Sequence, residues 1–208
     1  MNKPGRDATL KALKRFSKQT SDQTSAEQFV ANLSEESDRG AVILAATMVE
    51  DTLLEVLSSR MPTLNSDERS RMFDHEGIAG SFSAKIKLAQ GLGIIDRKVA
   101  RSIDIIREMR NACAHSRQAI SFETPELRDA FLTSMEGYSF DLPDMAAKPL
   151  RRLFCMECAV LARALRGPMA NGREPESSDF ADIEHFALDF IKELTGLATP
   201  VSVAVKDA

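Results

Sequence analysis

The chain has 208 residues, 43% hydrophobic and 28% charged, with a formal net charge of −4. That balance suits a globular protein with a sizeable core. Trp is absent, Tyr occurs once, and three Cys are too few for a disulfide framework, so a reducing cytoplasm is the expected compartment.

Residues 1–20 hold Lys3, Arg6, Lys11, Lys14, Arg15 and Lys18 against Asp7 alone, a net of +5 that leaves −9 for the remainder. With Leu10, Leu13 and Phe16 between the basic residues, 7–18 reads as a short amphipathic helix. A basic arm of this kind suits an anionic partner, nucleic acid or the acidic body itself, and is equally a solvated helix. It has no apolar h-region, so no signal peptide is expected. A polar SKQTSDQTS stretch follows and reads as linker, and a second short helix is expected over Ala26 to Leu33.

The strongest helical pattern comes next. Ser34 is the expected N-cap, with Glu35, Glu36 and Asp38 in the opening turns, where the helix dipole favours negative charge. Val42, Ala45, Ala46, Val49, Leu53, Val56 and Leu57 recur at helical spacing until Met61-Pro62. Further helices are expected over Asp67 to Phe73, from a Ser81 or Ser83 cap to Gly91, and from Asp96 to about His115. Thr124-Pro125-Glu126 opens another. Lys148 to Arg166 makes a long one, GPMANGREPESS a linker, and Phe180 to Leu194 a last helix. The expected fold is therefore all-α: a single helical bundle domain over 23–198, a short basic helical arm over 1–22 and a flexible tail over 199–208. No apolar run approaches the ~20 residues of a membrane span.

Arg110-Asn111-Ala112-Cys113-Ala114-His115 is the most specific local pattern, an R-x4-H at a helix end. Asn111 and His115 share a face, and Arg110 can swing toward it. His transfers protons near neutral pH and Arg stabilises phosphate charge, so the set suits an RNA phosphodiester, particularly across a dimer axis. The alternative is structural: His at a helix C-terminus favoured by the dipole, and Arg110 paired with a carboxylate of a neighbouring helix, Glu50, Asp51 and Glu55 being at hand. Cys155-Met156-Glu157-Cys158 lies inside a helix with Cys158 on the apolar stripe, so core packing is expected and redox chemistry is not. His75 and His185 have no ligand-spaced partners. No metal site, cofactor site, Gly-rich phosphate loop, GxSxG or HExxH is read.

Glu36-Ser37-Asp38-Arg39-Gly40 with the following helix and its Glu50, then Phe73-Asp74 leading into GSFSAKIKLAQGLGII, then RNACAH and Ile120-Ser121-Phe122 follow one another in that order. Together these segments resemble the mannitol operon repressor family of bacterial regulators. The resemblance covers about residues 35–135. It implies an all-helical, dimeric, non-enzymatic regulator of sugar-alcohol uptake genes, with Asp38, Arg39 and Glu50 as candidate binding residues. The chain contains no convincing helix-turn-helix, and its acidic body disfavours duplex DNA, which directs the expectation toward a regulatory protein partner. The R-x4-H pattern also resembles HEPN domains. That likeness implies a metal-independent ribonuclease or RNA-binding module in which His115 assists proton transfer, Arg110 stabilises the transition state and Asn111 orients the pair.

Overall fold

The computed structural model describes residues 33, 35–135 and 147–170, and every regular element among them is an α-helix. The basic arm, the helix expected at 180–194 and the tail lie outside the described residues. Among the described residues six helices are bounded, in order: α1 Asp38–Ser59, α2 Ser66–Phe73, α3 Phe82–Gly91, α4 Arg97–His115, α5 Pro125–Met135 and α6 Ala147–Ala170.

Helix α1 starts later than its acidic run suggests. Ser37, not Ser34, is the N-cap: its extended backbone (φ −66°, ψ 158°) turns the hydroxyl to accept from Gly40 N. Of the three acidic residues only Asp38 falls in the first helical turn. Asn65 opens α2 with a reciprocal capping box, accepting from Glu68 N while the Glu68 carboxylate accepts from Asn65 N. Ser81 caps α3 and Asp96 caps α4. Helix α6 continues past Arg166 through Gly167-Pro168 to Ala170, where the sequence reads as linker.

The connection between α2 and α3 is tightly wound. Gly77 N bonds Asp74 O, Gly80 N bonds Gly77 O, and Ala79 N bonds Met72 O. A Cβ on Gly77 would lie 2.3 Å from Met72 O, and one on Gly80 would lie 2.2 Å from Asp74 O, so only glycine fits at either position. After α3, Gly93 takes a left-handed φ of 69°, and Ile94 N returns to Ala89 O.

Helix α1 is the hub, packing against α6 most extensively and also against α4 and α3. Its stripe from Ala41 and Val42 to Val56 and Leu57 is buried, as the spacing predicts. Val99, Ile103, Ile106, Met109 and Cys113 of α4 face the same core. The Phe122 ring, in the loop before α5, meets Phe131 of α5 and Phe154 of α6, with centroids 6.1 and 5.8 Å away; Phe131 and Phe154 are 5.6 Å apart. Two of these three contacts are edge-on, the geometry aromatic pairs favour. All six helices contribute to one hydrophobic cluster.

Candidate functional site

Two polar clusters hold the motif residues. The first joins the start of α1 to the end of α4. The Asp38 carboxylate accepts from Phe122 N at 2.9 Å and lies 3.4 Å from Arg151 of α6. Arg151 in turn donates to Glu36 O at 2.7 Å. Arg39 sends one guanidinium nitrogen to Ala114 O at 3.3 Å and Ser116 O at 3.1 Å. Those carbonyls belong to the C-terminal end of α4, where intrahelical donors run out and the dipole is negative. Arg39 therefore supplies donors and positive charge where α4 lacks both.

The second cluster lies midway along α1. Glu50 accepts from Lys85 Nζ of α3 at 2.7 Å through one oxygen, and from Arg110 of α4 at 3.4 Å through the other. Lys85 also donates to Gly80 O at 2.8 Å. Its side chain is only 6% exposed, so the carboxylate and the carbonyl replace the water it has lost. Arg110 donates in addition to Asn111 Oδ1 at 3.2 Å.

The R-x4-H residues thus divide. Arg110 and Asn111 are half-buried and bonded to each other, with Arg110 drawn to Glu50. His115 is exposed on the last turn of α4. Asp38, Arg39 and Glu50 are half-buried and engaged in ties within the chain. Glu55 is paired with Arg166 of α6, and His75 is exposed; His185 lies outside the described residues.

All three cysteines are free and buried. Burial pushes the Cys113 thiol up to about 11 and Cys155 up to about 12, and carries Cys158 well above its ordinary value. The CxxC is core packing, and none of its thiols is ionised near neutrality. Among the described residues no group of three or more His, Cys, Asp or Glu is arranged to hold a metal ion, and no helix is long and apolar enough to cross a membrane.

Sequence reasoning missed two residues. Lys85 is one of two lysines in SAKIK with no local sign of burial, and its partner Glu50 lies 35 positions earlier. Glu157 is 5% exposed inside α6, and neither carboxyl oxygen has a hydrogen-bond partner. A signal for it existed: Glu157 sits three residues from Phe154, four from Leu161 and seven from Leu150, on the buried stripe.

No family model, curated protein or solved structure matches the chain. The functional reading therefore rests on the residues and their geometry.

Proposed function

We propose that the chain is a bacterial regulator of the mannitol operon repressor type, a non-enzymatic helical protein that works as a dimer through a regulatory protein partner. The observation that carries this reading is the use made of the motif's charges. Asp38, Arg39, Glu50 and Arg110 are spent on bonds that fasten α1 to α3, α4, α6 and the loop at Phe122. Residues that the family resemblance groups along the sequence thereby act as one framework, as expected of a folded regulatory module. A framework also leaves binding to exposed surfaces outside these ties.

The test is transcriptional. Deleting the gene should raise transcripts of sugar-alcohol uptake genes, and restoring it should lower them. Unchanged transcripts with and without the inducing sugar alcohol would sink the reading. A labelled operator fragment then separates the routes: retention that weakens steeply with salt means direct DNA binding, and none at low salt means a protein partner.

A HEPN-like ribonuclease is the second reading, favoured by the exposure of His115 and the Arg110–Asn111 bond. In it, His115 assists proton transfer at a ribose 2′-hydroxyl and Arg110 stabilises the phosphorane-like transition state, two copies sharing the cleft. Cleavage of a mixed RNA pool in EDTA, lost in His115→Ala, is its expected result. An RNA pool left intact by the wild-type protein removes it.

A further inference from the structure

Glu157 is the one buried side chain among the described residues whose polar atoms lack partners. A carboxylate stripped of water and unpaired is among the costliest groups a core can hold, whereas a neutral carboxylic acid costs far less. Among the described residues its surroundings supply no counter-charge. The α6 residues beside it are the thiols of Cys155 and Cys158, both neutral near pH 7 because burial raises them.

From α5 comes the Ser134 hydroxyl. It stands near enough to favour the ionised form, but its hydroxyl donates to Phe131 O at 2.7 Å. From α4 comes Ser102, whose hydroxyl reaches Ser134 O at 3.4 Å. The acids of α1 that α6 engages, Asp38 and Glu55, are matched by Arg151 and Arg166. No described Lys, Arg or His acts on Glu157.

We propose that Glu157 is a proton-operated latch between α6 and α5. With its proton on, the neutral acid sits in the core and the helices stay docked beside the Phe122–Phe131–Phe154 cluster. With the proton lost, the carboxylate has no partner in place, and the stable arrangement is the one that admits water along this edge of α6. Burial raises the group from its ordinary 4.5 to about 8, so the change straddles neutrality. The closed form holds a proton that the open form releases, and opening is therefore favoured as pH rises.

The buried cysteines are built-in reporters. Cys158 adjoins Glu157, whereas Cys113 lies on α4 near Arg39 and Asp38. Intact protein is pulse-alkylated at pH 6 and pH 8, and each cysteine is quantified by peptide mass spectrometry. Labelling of Cys158 relative to Cys113 should rise by more than about tenfold, since opening gains up to roughly tenfold per pH unit over this interval. Glu157→Gln should abolish most of that rise. An equal rise in both proteins, or none in the wild type, overturns the latch.

The carboxyl carbon resonance of Glu157 in the wild-type protein gives a second readout that does not depend on the variant folding. A midpoint above pH 7 is expected. A midpoint near 4.5 overturns the proposal.

Discussion

Lys85 and Glu50, 35 residues apart in sequence, meet at 2.7 Å with side chains 6% and 15% exposed, and Arg110 reaches the other oxygen of the same carboxylate. Glu50 thus lies between two cations from two different helices, and the three residues are not equivalent. Glu50→Ala leaves a buried ammonium without its counter-ion and should cost about 3–5 kcal/mol in urea unfolding. Lys85→Met should cost less, because Glu50 keeps Arg110. Combining the two should cost less than the sum of the single changes. Additive effects would mean that the pair is not coupled.

Arg39 is the donor that closes the end of α4. Arg39→Ala should destabilise the protein by roughly 1–2 kcal/mol, the scale of a charged hydrogen bond discounted for partial exposure. The effect should be local. Amide exchange should quicken at Cys113 to Gln118 and stay unchanged at Val99 to Ile106. Uniform acceleration along α4 would argue against a capping role.

The glycines of the α2–α3 region separate cleanly. Gly77→Ala drives a Cβ into Met72 O at 2.3 Å and should cost at least about 2 kcal/mol, since backbone must move. At Gly91, the last residue of α3, a Cβ meets nothing within 4 Å. Gly91→Ala should raise stability by about 0.5–1 kcal/mol. Thermal melts of the two variants should move in opposite directions.

Glu157 also fixes the pH dependence of global stability. The folded protein keeps a proton up to about pH 8, which the unfolded chain gives up near 4.5. Between those values the unfolded state binds fewer protons, so stability falls with rising pH, by up to about 1.4 kcal/mol per unit from this group, and levels off above 8. Subtracting the Glu157→Gln curve from the wild-type curve isolates this contribution. A flat difference from pH 5 to 8 would remove it.

Much of the fold is legible in the sequence because amphipathic spacing and caps act locally. The stripe of α1, the Asp96 cap, the Ser81 alternative and the Pro125 start all appear where local rules place them. The start of α1 does not, because Ser34 and Ser37 are both good caps and Glu35 and Glu36 suit either choice; backbone direction at Ser37 decides. The end of α6 differs because Gly167-Pro168 reads as a break, yet the helix runs on to Ala170. The polar clusters were only half visible. Arg110 with a carboxylate from α1 was one of the two readings its position allowed, but nothing near Lys85 or Arg39 announces partners 35 and 77 residues away. Glu157 lies inside the CxxC, whose two cysteines draw the reading of that segment.

The Asp38 contact with Phe122 has a kinetic consequence. It spans 84 residues, and most of α1, α2, α3 and α4 must be arranged before the carboxylate can find that amide. The entropy of closing so long a loop is met early only by contacts that bury much surface, and one hydrogen bond at its mouth buries little. The bond therefore belongs to the descent from the folding barrier rather than the climb. Asp38→Asn should quicken the unfolding limb of a chevron plot and leave the folding limb in place, so that this end of α1 governs how long the native state lasts rather than how fast it is reached.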